Sequence, residues 1–178
     1  MVNSDIEAGS ALDFSQLIPR QASAGNSGRV VVNEQGRFAF AQHPQSAVRF
    51  YGVNLCFSAL YLSHEQADRL ADRLCRLGYN AVRIHHYEGE LVDRTAKDGI
   101  RFLPGKLDQL DYLCAALKRR GIYLTTDLFV SRPVAASLID PPAKGELGMD
   151  EYKMAVHVNQ RAYEDVQAFS RALLHHVN

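Results

Sequence analysis

Hydrophobic positions along the chain follow two periods, two residues in some stretches and about 3.6 in others, and the changes of period mark its elements. Tyr79-Asn80-Ala81-Val82-Arg83-Ile84-His85-His86 reads as a buried strand that turns polar only at its far end. Before it, Ala67, Leu70, Ala71, Leu74 and Leu77 fall on one helical face, with Asp68, Arg69, Asp72, Arg73 and Arg76 on the other. Ser63 and Gln66 form a capping box at the start of that helix, and Gly78 supplies its stop. Val48–Leu55 reads as the preceding strand. After the central strand, a polar excursion from Glu88 to Lys106 leads to a helix over Leu107–Arg120, striped by Leu110, Leu113, Cys114 and Leu117 and ended by Gly121. Ile122–Val130 is the third strand. A loop with Arg132, Pro133, Pro141 and Pro142 separates it from a last helix beginning near Asn159, with Ala162, Val166, Phe169, Leu173 and His176 at helical spacing.

Ahead of this body, residues 1–28 are rich in Ser, Ala, Gly and Asn and read as a partly flexible lead-in, with Leu12, Phe14, Leu17 and Ile18 as candidate anchors. Residues 29–47 read as a β-hairpin cap. Val30–Val32 and Arg37–Phe40 flank Asn33-Glu34-Gln35-Gly36, and the polar residues Gln42–Ser46, with Pro44, separate the cap from the first strand of the main body. Residues 48–178 then run β-α-β-α-β-α. Alternation at this length predicts a parallel sheet with right-handed crossovers, an α/β fold. Both long loops follow strands, whereas the helix-to-strand links are single glycines, so one rim is the functional one. That asymmetry favours a (β/α) barrel, and no G-x-G-x-x-G follows the first strand to point to a dinucleotide fold.

Charge narrows the partners. Twenty Lys and Arg cancel twenty Asp and Glu, and a balanced surface argues against nucleic acid or an anionic membrane. Lys118-Arg119-Arg120 closes a helix, where cations suit the dipole, and His175-His176 reads as a cation pair at another helix end. No apolar run approaches the ~20 residues of a membrane span. The first ten residues lack the apolar core of a secretory signal. Cys56, Cys75 and Cys114 have no metal-ligand spacing and form no disulfide framework. The expectation is a soluble, cytoplasmic protein.

Strand alternation places Ala81, Arg83 and His85 on one face and Val82, Ile84 and His86 on the other. The second set is apolar until its last member and should meet the helices. By the same alternation Asn54, Thr125 and Asp127 end near the rim, so Asn54, Arg83, His85 and Asp127 are the candidate binding residues. The competing reading is a buried Arg83–Asp127 ion pair across neighbouring strands, with Asn54 satisfying backbone groups. A metal held by His85, His86 and Asp127 is a rival, but adjacent strand residues diverge, and neither metal nor cofactor is expected. Ser58, Ser63 and Ser131 lack a nucleophile elbow.

Three passages together resemble the N-terminal part of clan A glycoside hydrolases, in particular cellulase-like proteins near glycoside hydrolase family 5. They are Val-Arg-Phe-Tyr-Gly-Val-Asn-Leu from Val48, Gly-Tyr-Asn-Ala-Val-Arg-Ile-His-His from Gly78, and Leu-Lys-Arg-Arg-Gly-Ile-Tyr-Leu from Leu117. The resemblance spans roughly 29–178 and implies the first three βα units of a (β/α)8 barrel, with hydrolysis of β-linked oligo- or polysaccharide by retention. It implies that Arg83 hydrogen-bonds near the nucleophile and keeps it ionised. Family members often carry a histidine within an Asp-x-His arrangement at the third strand; Asp127-Leu128-Phe129 has phenylalanine there. The family's acid/base and nucleophile glutamates follow strands four and seven, and retention needs two carboxyls ~5–5.5 Å apart. Glu88 and Glu90 match neither position, so the chain alone is expected to be inactive. Two further readings stand beside this one. The first is a non-catalytic carbohydrate-binding or assembly module that dimerises through an open sheet edge. The second is a metal-dependent hydrolase on the same barrel.

Overall fold

Asn33 closes the hairpin turn. Its side-chain oxygen accepts from the amides of Gln35 (3.1 Å) and Arg37 (2.9 Å), and Gly36 takes the left-handed conformation (φ +71°) that a side chain would disfavour. The computed structural model describes residues 5–17, 21–96 and 99–177; the candidate anchor Ile18 lies outside them. Around the Asn33 turn, β1 (Val30–Val32) pairs antiparallel with β2 (Phe38–Phe40), Val31 opposite Ala39. The hairpin gains a third strand, β3 (His43–Ala47), antiparallel to β2, where the sequence pattern predicts a polar spacer. All five β3 residues are exposed, so nothing alternates. Its edge position explains why Pro44 is tolerated.

The main sheet is parallel, in the order β4 (Gly52–Cys56), β5 (Ala81–His85), β6 (Tyr123–Thr126), so the chain is a mixed α/β protein. A 3-10 turn over Phe57–Leu60 precedes α1 (His64–Arg76), whose capping box is formed as expected: Ser63 Oγ accepts from Gln66 N and Gln66 Oε1 accepts from Ser63 N. The helices α2 (Glu88–Leu91), α3 (Pro104–Arg119), α4 (Ala136–Ile139), α5 (Met149–Val158) and α6 (Gln160–His175) complete the order. α3 starts three residues earlier than the pattern predicts, with Pro104 in the first turn, where its missing N–H costs nothing. α5 replaces part of the expected loop: Glu151 Oε2 accepts from Gly148 N (2.8 Å) at its start, and Tyr152 is its one buried residue.

Contacts divide the chain into two compact units. The first comprises the described residues up to Leu55, Leu62–Arg83 and Tyr112–Thr125. Its buried positions include Ala67, Ala71 and Leu74 of α1, Leu113, Ala116 and Leu117 of α3, and Val82 of β5. The basic end of α3 is engaged by α1, with Arg119 and Arg120 on Asp68 and Arg120 on Asp72. The lead-in straps this unit: Phe14 N donates to Arg76 O and Ala24 N to Lys118 O. Asn80, only 4% exposed, donates from Nδ2 to Arg49 O (2.8 Å) and accepts on Oδ1 from Tyr51 N (2.7 Å).

The second unit comprises Cys56–Tyr61, Ile84–Asp111 and the residues from Thr126 onward. Val134, Ile139, Tyr152, Ala162 and Val166 form its core. Arg132, which the sequence pattern leaves in a loop, is buried and donates to Gly99 O (3.0 Å), to Tyr152 Oη (2.9 Å) and to Asp165. Tyr152 Oη donates in turn to Asp165, and burial, together with that carboxylate, pushes its hydroxyl well above the ordinary tyrosine value. His176 is more than a helix-end cation: its ring nitrogens meet Asp111 Oδ1 (2.8 Å) and Leu173 O (2.6 Å).

Candidate functional site

The central strand delivers its side chains as the alternation requires. Val82 and Ile84 are buried, while Arg83 on the opposite face is exposed. Asn54 on β4 and Thr125 on β6 are exposed as well, and the three line one cavity of about 570 Å³ in the first unit. A buried Arg83 is therefore not realised. The structure brings the four candidate residues together as two pairs, Asn54 with Arg83 in this cavity and His85 with Asp127 in the second unit.

His85 Nδ1 lies 2.5 Å from Asp127 Oδ2. A carboxylate at this distance orients the imidazole ring through Nδ1. Asp127 is fixed from behind, because the fully buried Tyr87 donates from its hydroxyl to Asp127 O (2.6 Å). Tyr61 donates to Tyr87 O, and burial, then the charges of Glu90 and Glu88, raise the Tyr61 hydroxyl far above its ordinary value, so it remains a donor. Lys106 sits over the Tyr61 ring and pairs with Glu90 (2.6 Å).

Glu88 begins the stretch that the sequence pattern reads as a polar excursion, yet it is 0% exposed. Its Oε1 accepts from Val130 N (2.6 Å) and its Oε2 from Ser131 Oγ (3.2 Å), holding the loop that follows β6. Farther along, Thr95 and then Arg101 hold the Asp93 carboxyl down to about 2, giving this excursion a fixed shape there.

Sequence reasoning missed Phe57. Phe57 (φ +54°) and His86 (φ +53°) are the non-glycine residues with left-handed backbone among those described. Their rings stack at 4.8 Å and 15°, and Phe57 is 58% exposed. Each such conformation costs of order 1 kcal/mol and persists where surrounding contacts over-determine it, often at binding sites. The one signal in the sequence is the adjacent His85-His86 pair, whose rings meet edge to face at 4.1 Å.

Among the described residues no group of three or more His, Cys, Asp or Glu could hold a metal, and no helix is long and apolar enough to cross a membrane. No protein-family model matches the chain, and no curated protein matches it. Among solved structures, the chain is similar to a glycoside hydrolase family 5 protein from Bacteroides vulgatus, at 18% identity and a TM-score of 0.47. The match covers 61% of this chain and 26% of that one, so it spans about a quarter of the other protein.

Proposed function

We propose that the chain forms the first three βα units of a (β/α)8 barrel belonging to a retaining glycoside hydrolase of β-linked oligo- or polysaccharide. The observation that carries this reading is the asymmetry of the parallel sheet. One face buries Leu55, Val82 and Ile84, while the other leaves Asn54, Arg83 and Thr125 lining a cavity. A barrel wall has this character, with helices outside and ligand-directed polar groups at the strand ends within. Asn54 and Arg83 in the first unit, and His85 and Asp127 in the second, donate to and accept from sugar hydroxyls. Arg83 supplies the fixed positive charge that keeps a nucleophilic carboxylate ionised. That carboxylate is not Glu88, which is wholly buried, nor is it assigned to Glu90, which is paired with Lys106.

Titration calorimetry with a β-1,4-linked glucose pentasaccharide and a β-1,4-linked mannose pentasaccharide tests the reading. Saturable binding that weakens in Arg83→Gln and in His85→Ala, without turnover of an aryl β-glycoside, is the expected result. Absence of binding, or turnover by the chain alone, overturns it. A second reading is favoured by the sheet order, in which, among the described residues, β4 and β6 each have a partner strand on one side. The chain is then a carbohydrate-binding or assembly module that dimerises through a sheet edge. Concentration-dependent sedimentation favours that alternative, and a monomer at all concentrations excludes it.

A further inference from the structure

Beside the hairpin, the first unit holds another cavity, of about 740 Å³, whose wall includes Arg37, Phe38, Arg49 and Tyr51. Its volume lies in the range of small-molecule sites. We propose that this cavity binds a small anionic molecule with a ring body, carrying a carboxylate or a phosphate group. The proposal stands apart from the sugar-binding reading above and does not depend on it.

Three observations carry it. Among the described residues the cavity wall contains two arginines and no acidic residue. Among the described residues neither guanidinium is engaged in an ion pair, although most other arginines of the first unit are matched to aspartates. Two uncommitted planar forks suit an oxyanion. Phe38 and Tyr51 are each more than half exposed, which for aromatic rings sharing one concave wall marks a contact surface. The wall is also built in advance. The buried Asn80 amide grips the backbone on both sides of Phe50, fixing Arg49 through its carbonyl and Tyr51 through its amide. Asn80 is thus a positioning residue, and a pre-formed wall lowers the ordering cost of binding.

The test is calorimetry on the full chain with three probes: a glucuronic-acid-containing disaccharide, glucose 6-phosphate, and neutral cellobiose as competitor. Saturable binding of one or both anions is expected, weakened at least about tenfold in Arg37→Gln and again in Arg49→Gln. Arg49→Lys should lose less than Arg49→Gln, because it keeps the charge and loses only the fork. Both arginines are exposed and unpaired among the described residues, so the variants should keep the parent urea midpoint. Which anion binds decides between carboxylate and phosphate. No binding of either anion at millimolar concentration, undiminished affinity in either Gln variant, or complete displacement by cellobiose overturns the proposal.

Discussion

Replacing Glu88 by alanine and, separately, by glutamine distinguishes what its hydrogen bonds contribute from what its buried charge costs. The carboxyl is fully buried, accepts from Val130 N at 2.6 Å and from Ser131 Oγ at 3.2 Å, and has no cation partner among the described residues. Alanine leaves the Val130 amide without its acceptor, at about 1–3 kcal/mol, and strips packed side-chain atoms, so it should lie about 2–5 kcal/mol below the glutamine variant, which loses the same charge. Glutamine keeps an oxygen for Val130 and offers an N–H to the Ser131 hydroxyl, which can turn to accept. It gives up charge assistance worth about 1 kcal/mol. It also removes an ion whose burial costs several kcal/mol in effective terms, so removal of the charge wins. Glu88→Gln should therefore match or exceed the parent in stability. Urea unfolding followed by circular dichroism reads both, as shifts in midpoint at unchanged slope. Hydrogen exchange at the Val130 amide should accelerate only in the alanine variant. Equal stability of the two variants would refute the reasoning, because it does not fit a buried acceptor bonded to these donors.

Asn80→Ala should cost about 2–4 kcal/mol, since it orphans Tyr51 N and Arg49 O together; chemical denaturation measures it, and loss near zero would mean those groups find water. Gly121→Ala is excluded twice, by φ +73° and by a Cβ that would stand 2.2 Å from Gln21 O. It should lose at least about 1–2 kcal/mol and release the lead-in to limited proteolysis near Gln21. His176 adds a pH dependence. Its partial burial opposes charging, but the Asp111 carboxylate and the Leu173 carbonyl outweigh that and raise its value above 6.5. Its stabilising contribution is thus fully present below pH 6.5 and is lost as pH rises through the raised value. The amount should be under about 1 kcal/mol, and His176→Gln should flatten that part of the stability–pH curve.

Local chemistry made much of the fold legible. The Ser63–Gln66 box, the glycine stops at Gly78 (φ +82°) and Gly121, and the Asn33 turn all act within a few residues of themselves, and each forms as its sequence requires. The buried set Val82 and Ile84 was legible because alternation is a property of the strand alone. Elements without an apolar signature were not. β3 is wholly exposed and carries no period to detect, while α5 packs Tyr152, Ala155 and Val156 on its core, a one-turn stripe too short to stand out from the loop expected there.

The candidate site divides along the same line. Sequence alone determined which residue types stand on β4 and β5 and just after β6, because strand period and element order suffice for that, although Asn54 and Arg83 lie in mid-strand and only His85 ends its strand, with Asp127 directly after β6. It did not determine their pairing. His85 meets Asp127 across 42 positions, Glu88 clasps Val130 across 42, and Asn80 grips Tyr51 across 29. Nor did it predict that Phe57 and His86 would stack in left-handed backbone. Burial of a polar group depends on a partner brought from another strand, and a hydrogen bond acts over about 3 Å of space whatever the distance along the chain. Only the folded sheet, by bringing β4, β5 and β6 side by side, decided which of these groups could satisfy one another.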